Sequence, residues 1–258
     1  MVFDRKLGDS FKKSSVEYHS SRKGYSSKVY TKIIKISKIN NQSKILDIGC
    51  GSGLSTLPIA KLGYSITGID TSERLIEIAR KETIEGNPTY ILDSFEKHYF
   101  NDNQFDLIIS GQAFHWLDEN TAYEKCAKAL KKEGHIAIFG KFNDYKKSDF
   151  LNKLKDIFVN NCKYYPEGLH QDDYTKDYVK EITESGFFTD IISWKHKYLI
   201  NYTKDDYRNY ITSLSWIIKL DESTRKDVMN KVDALLNEYA WSMEIPHGTA
   251  LIMAEVKK

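Results

Sequence analysis

The stretch ILDIGCGSG, residues 45–53, places three glycines on alternating positions directly after a short apolar run that contains an acid. Glycine has no β-carbon, so a turn built from it reaches left-handed backbone and lets another group come close to its N–H donors. At the carboxyl end of a buried strand, such a turn opening into a helix offers those donors to a ligand. The spacing is selective. A dinucleotide turn needs G-x-G-x-x-G, but Leu54 and Thr56 stand where the last glycine would fall in the frames starting at Gly49 and Gly51. The pattern present is D-x-G-x-G-x-G, formed by Asp47, Gly49, Gly51 and Gly53.

Outward from that turn, strand and helix signals alternate. SKILDIG (43–49) reads as a buried parallel strand, and LSTLPIAKLG (54–63) as a helix closed by Gly63. YSITGID (64–70) is a second strand. TSERLIEIARKE (71–82) is a helix with Thr71 or Ser72 as its cap and Glu73 in the first turn. TYILD (89–93) and FDLIISG (105–111) are further strands. DENTAYEKCAKALKKEG (118–134) reads as a helix capped by Asp118 and stopped by Gly134, followed by the strand HIAIFGK (135–141). This alternation predicts an α/β fold with a doubly wound, mostly parallel sheet.

After Lys141 the rhythm changes. Helical spacing occupies 148–161, 173–186, 204–217 and 222–240, a long strand 188–200, and a closing strand 247–258. The expected organisation is one domain over 1–258, with its core at about 40–141. Helical lid insertions are expected at about 142–186 and 201–246, and an N-terminal cap over 1–39.

Composition narrows the partners. Of 258 residues, 41% are apolar and 29% charged, as in soluble globular proteins. Lys and Arg number 38 against 36 Asp and Glu, a net charge of +2 that makes no basic face for nucleic acid. The start MVFDRKLGDSFKK lacks the apolar stretch of a signal peptide, and no run approaches the roughly 18 apolar residues of a spanning helix. Cys50, Cys126 and Cys162 are too few and too scattered for a disulfide framework or a zinc site, and the histidines show no ligand spacing. The expectation is a cytoplasmic monomer or homodimer that acts on a small molecule, with no metal and no nucleic-acid or membrane partner.

The D-x-G-x-G-x-G turn resembles the first motif of the class I S-adenosylmethionine-dependent methyltransferases. The resemblance implies a seven-stranded sheet with an antiparallel last strand, S-adenosyl-L-methionine as cofactor and S-adenosyl-L-homocysteine as product. It assigns Asp47, Gly49, Cys50, Gly51 and Gly53 to the methionine part of the cofactor. Asp70, with Thr71 beside it, would take both ribose hydroxyls, since an ionised carboxylate accepts several hydrogen bonds. Asp93 would reach the adenine amino group, with Ser94 and Phe95 supplying backbone. Ser110 and Gln112 stand at the end of the fourth strand.

That strand runs on into SGQAFHWLD (110–118), which resembles a subgroup that includes the trans-aconitate methyltransferases and other small-molecule carboxyl methyltransferases. YHSSRKGYSS (18–27) is similar to the subgroup's Y-x-x-x-R-P-x-Y-P segment through Tyr18, Arg22 and Tyr25, with Lys23 and Ser26 in place of its prolines. YITSLSW (210–216) resembles its lid segment, so Tyr207, Tyr210 and Trp216 join Tyr18, Arg22 and Tyr25 as substrate-binding candidates. His115 and Trp116 are the catalytic candidates: donors to a carboxylate acceptor, or, for a phenol or amine, His115 as general base. His115 as a packing residue stays open. The N-P-P-[YF] tetrad of amino-directed enzymes is absent, since S-G-Q-A stands there. The expectation is O-methylation of a carboxylic acid. N- or C-methylation of a metabolite or natural product, and a non-catalytic cofactor-binding module, are the alternatives.

Overall fold

A computed structural model describes residues 23–83, 88–144, 148–165, 174–239 and 243–258. In chain order the described elements are α1 (Ser27–Ser37), β1 (Lys44–Ile48), α2 (Thr56–Lys61), β2 (Ser65–Asp70), α3 (Glu73–Glu82), β3 (Thr89–Leu92) and β4 (Phe105–Gly111). A 3-10 turn (Phe114–Trp116) leads to α4 (Glu119–Ala129) and β5 (Leu130–Asn143). Then come α5 (Asp149–Asn161), α6 (Tyr174–Ser185), β6 (Phe188–Tyr202), α7 (Lys204–Thr212), α8 (Ser215–Ile218), α9 (Glu222–Asn237) and β7 (Met243–Val256).

The seven strands form one sheet in the order β3-β2-β1-β4-β5-β7-β6, with β7 antiparallel. β1 pairs in parallel with β2 on one side and β4 on the other, so the winding reverses at the carboxyl end of β1. Open α/β sheets bind ligands at such a switch point. The sequence explains why β1 is central. Ile45, Leu46, Asp47 and Ile48 are all buried, as a strand covered on both faces requires. Its side chains alternate between two cores. Leu46 and Ile48 join Ile108, Tyr123, Tyr178 and Ile182, while Ile45 joins Val29, Ile33, Ile59, Leu107 and Ile109.

Four segments differ from expectation. α4 ends at Ala129, five residues early, and Leu130 opens β5 instead. Leu130 is fully buried opposite Phe105, whereas His135 faces Leu107, so the intervening residues loop out of the ladder, with Glu133 at φ 63°. The 204–217 helix breaks between α7 and α8. There Thr212 Oγ1 and Ser213 Oγ donate to the carbonyls of Asn209 and Tyr210, competing with helix continuation. α1 has no counterpart in the sequence reading; Ser26 caps it and Val29, Tyr30 and Ile33 fasten it. α6 was expected among the lid segments, yet its Tyr178 and Ile182 pack in the sheet core.

The described residues divide into two compact units. One holds those within Gly24–Lys141, Asp173–His196 and Thr249–Lys258, including the glycine turn. The other draws on Phe142–Asp172 and Lys197–Gly248, together with Lys23. Its core joins Phe150, Leu154 and Phe158 of α5 to Tyr207 and Ile211 of α7 and to Val228, Val232 and Leu236 of α9. Arg208 grips Asp233 through two hydrogen bonds of 2.7 and 3.0 Å, tying α7 to α9. Among the described residues no helix is long and apolar enough to cross a membrane, and no cluster of His, Cys, Asp and Glu could hold a metal.

Candidate active site

Gly49, Gly51 and Gly53 adopt φ values of 67°, 52° and 86°, the left-handed region that favours glycine. The first two have different reasons to be bare. A β-carbon at Gly49 would lie 2.3 Å from Cβ of Ala113, so the turn after β1 packs directly on the segment after β4. At Gly51 the nearest atom would be Leu75 Cδ1 at 3.8 Å, leaving that face of the turn open. Cys50 turns its thiol onto β2, where a β-carbon at Gly68 would meet Sγ at 2.7 Å. Burial pushes the thiol pKa up, which makes Cys50 an inert filler.

Asp47 lies beneath the turn. It is fully buried, and its Oδ2 accepts the hydroxyls of Ser55 and Thr56, both at 2.6 Å, at the start of α2. Burial pushes its pKa up to about 7. The residue acts as a strut between β1 and α2, while above it the N–H groups of Gly49, Gly51 and Gly53 donate to Ile69 O, Asp70 Oδ2 and Cys50 O.

Asp70, at the end of β2, accepts the N–H of Gly51 on Oδ2 at 2.9 Å and that of Ser72 on Oδ1 at 2.8 Å. Burial raises its pKa, and these backbone donors act in the opposite direction. Thr71 between them is exposed. Ser72 is the cap of α3, accepting from Leu75 N–H, which settles the choice between Thr71 and Ser72.

Asp93 follows β3. Its Oδ1 accepts the Ser94 N–H at 2.8 Å, and its Oδ2 stands 3.0 Å from His98 Nδ1; the His98 contact first, then the Ser94 bond, lower its pKa. The Phe95 ring is buried in the core beside Phe100, so only its backbone can face a ligand. At the end of β4, Ser110 Oγ donates to Ile48 O at 2.9 Å, stitching β4 to β1. Gln112 follows at φ 55° with its N–H on Phe139 O. A non-glycine residue held there costs about 1–3 kcal/mol, strain that clusters at functional sites.

The 3-10 turn carries His115 and Trp116, anchored by Phe114, which is buried against Tyr123 at 5.0 Å between ring centres. Both side chains are half-buried, their rings 4.6 Å apart. Burial lowers the His115 pKa to about 4, so the imidazole is neutral at physiological pH. Tyr25 reaches the end of the same strand: a β-carbon at Gly111 would lie 2.8 Å from its phenol oxygen. Its ring packs edge-on against Phe139 at 4.8 Å, with Lys141 Nζ 5.5 Å from the ring centre.

The glycine turn, Asp70, Asp93, the end of β4 and Tyr25 therefore all belong to the sheet unit. Tyr18 and Arg22 lie outside the described residues. Tyr207, Tyr210 and Trp216 belong to the other unit. There Tyr207 is fully buried among Phe150, Tyr202 and Tyr210, a core position that offers no surface to a substrate. Tyr210 and Trp216 are half-buried, the latter 5.3 Å from Tyr165. Sequence reading missed Ser55, Thr56, His98 and Lys141. Only His98 left a signal, a histidine five residues after a strand-ending acid, and it was weighed there solely as a metal ligand.

A glycine turn tied to the acid of the next strand, at the switch point of a 3-2-1-4-5-7-6 sheet, is the arrangement that the resemblance to the class I S-adenosylmethionine-dependent methyltransferases implies. The sequence agrees: residues 46–138 match the family model described as a methyltransferase domain. The ubiquinone biosynthesis O-methyltransferase of Proteus mirabilis is 33% identical over 131 residues, 49% of this chain and 52% of its own. A probable S-adenosylmethionine-dependent methyltransferase of Saccharomyces cerevisiae is 27% identical over 65% of this chain and 57% of its own. The chain thus spans about half the length of the curated relatives it matches. Among solved structures, a Haemonchus contortus phosphoethanolamine N-methyltransferase, in complex with phosphomonomethylethanolamine and S-adenosylhomocysteine, shares the fold. Its TM-score is 0.59 at 17% identity, over 100% of this chain and 61% of its own.

Proposed function

We propose that this protein transfers a methyl group from S-adenosylmethionine to a small molecule, and that the accepting atom is a carboxylate oxygen. The cofactor half rests on Asp70. Each of its oxygens takes one backbone N–H, and an ionised carboxylate with about four acceptor positions keeps two for the neighbouring hydroxyls of a ribose. The open face at Gly51 has the same bearing, because a side chain there would fill the approach to the turn. The residues therefore fit the group. Gly49, Gly51 and Gly53 would hold its amino-acid end, Asp70 and Thr71 its ribose, and Asp93 with the Ser94 and Phe95 backbone its adenine. When bound, S-adenosylmethionine supplies an electrophilic methyl carbon on a sulfonium, which is a good leaving group.

The chain's own residues then have a modest task. A carboxylate is already nucleophilic, so they must orient an oxygen and exclude water rather than remove a proton. His115 supports that division. With a pKa near 4 it is a poor base for a phenol or an ammonium at pH 7, yet its ring N–H can donate to a carboxylate. The Trp116 indole N–H is a donor of the same kind. Tyr25 and Lys141 bring a phenol and a positive charge to the ends of β4 and β5, a setting that suits an anionic acceptor.

The deciding experiment incubates the protein with methyl-labelled S-adenosylmethionine and a small-molecule extract, then treats the products with mild base. Label released as volatile methanol is expected, since methyl esters hydrolyse readily. Label kept in a base-stable product would replace the carboxylate with an ether, amine or carbon acceptor. Binding of the cofactor with no labelled product from any extract would favour a non-catalytic module.

A further inference from the structure

His98 is in direct contact with Asp93, and the cofactor reading leaves it without a task. Its position is built rather than incidental. Residues 94–98 form a single helical turn, with the N–H groups of Lys97 and His98 both on Ser94 O. The turn carries the imidazole back onto Asp93, where Nδ1 stands 3.0 Å from Oδ2. Behind it, Phe95 and Phe100 are buried, and the imidazole packs on the Phe100 ring at 4.7 Å. Lys125, on α4, donates to the carbonyls of Glu96 and His98 and clamps the turn from the same side. The Asp93 carboxylate is thus held at both oxygens, by Ser94 N–H and by His98, while 40% of its side-chain surface stays open.

We propose that His98 is a positioning residue for purine selection. By donating from Nδ1 to Asp93 Oδ2, it fixes the carboxylate that distinguishes an amino-substituted purine from an oxo-substituted one. This rests on the cofactor reading above and extends it. A carboxylate offers only lone pairs, so it accepts from the amino group of adenine and repels the carbonyl oxygen of hypoxanthine. That discrimination depends on the carboxylate keeping one orientation. With Ser94 N–H as its only tether, it would turn about its own side-chain torsions and the two purines would be told apart less well.

The test uses the full chain and two probes, S-adenosylhomocysteine and S-inosylhomocysteine, titrated by calorimetry. The unaltered protein is expected to prefer the adenosyl compound by about tenfold or more, the worth of one charge-assisted hydrogen bond. His98→Ala should shrink that preference to within about threefold, by weakening adenosyl binding and leaving inosyl binding almost unchanged. His98→Asn, whose amide nitrogen can stand where Nδ1 stands, should keep the preference. His98→Gln, whose donor sits one bond further out, should not. Equal losses for both probes in His98→Ala, with the preference intact, would mean that the residue only supports the fold and would overturn the proposal. An unaltered protein that binds both probes without preference would also overturn it. Failure of the unaltered protein to bind either probe would instead overturn the cofactor reading, and the proposal with it.

Discussion

The N–H of Gly51 donates to Asp70 Oδ2 at 2.9 Å, so the acid that ends β2 is fastened to the glycine turn that follows β1. With Ser72 N–H on the other oxygen, one carboxylate fixes the turn and the start of α3 together. Asparagine has a single acceptor oxygen and would set an N–H against one of the two donors. Asp70→Asn is therefore expected to lose both the ribose acceptor and the shape of the turn. Hydrogen bonds to charged groups are worth about 1.5–3 kcal/mol, so affinity for S-adenosylhomocysteine should fall by about tenfold to a hundredfold. Calorimetric titration checks this, and an unchanged dissociation constant would remove Asp70 from the site.

Gly49 and Gly51 separate packing from ligand access. Gly49→Ala would drive a methyl group to 2.3 Å from Ala113 Cβ and strain a backbone at φ 67°. Overpacking and left-handed strain together should cost about 3 kcal/mol in urea unfolding. Adding Ala113→Gly relieves only the overlap and should recover about half of that. Gly51→Ala meets no close neighbour and should cost only the strain, about 1–2 kcal/mol, while cofactor affinity drops because the open face is filled. Equal losses of stability in Gly49→Ala and Gly51→Ala would refute the distinction.

These contrasts mark what the sequence could carry. The turn, the acids at or near the ends of β1, β2 and β3, and the alternation of strands with helices were legible because they rest on local backbone needs and on short apolar runs, both written in consecutive residues. The entry to β5 was not. KKEG looks like a helix end, and only the pairing of Leu130 with the distant Phe105 makes it part of a strand. Asp47 misled in another way. Its place in the motif matches a ligand-facing acid, but the hydroxyls that occupy it come from Ser55 and Thr56, whose approach depends on how α2 meets the turn. Tyr207 read as a lid residue because aromatic content does not distinguish a surface from the core it occupies.

His115 has a pH signature. Because burial lowers its pKa to about 4, it becomes charged only well below the range of ordinary histidines. If it acts as a neutral donor, kcat/KM should be level between pH 6 and 8, with no limb near the usual histidine value of about 6.5. His115→Ala should lower kcat/KM by about tenfold to a hundredfold at every pH in that interval, the loss expected for one donor. An acidic limb near 6.5 in the unaltered enzyme, with activity lost as pH falls, that vanishes in His115→Ala would make the residue a general base and point to a protonated acceptor.

Asp47 carries the opposite consequence, in stability. Its carboxyl is raised from 3.8 to about 7, chiefly by burial, with the nearby Asp70 charge adding to the rise and the Ser55 and Thr56 hydroxyls opposing it. Between those values the folded state holds a proton that the unfolded chain has released, so stability falls as pH rises through the interval and levels off above about 7. The displacement corresponds to about 4 kcal/mol. Asp47→Asn keeps an oxygen for the two hydroxyls and has no charge to desolvate. Its melting temperature relative to the unaltered protein should therefore climb steadily from pH 5 to pH 7 and hold constant at pH 8. Parallel melting curves at every pH would mean that Asp47 is ionised at no cost, and that the buried strut is stabilised by a partner other than Ser55 and Thr56.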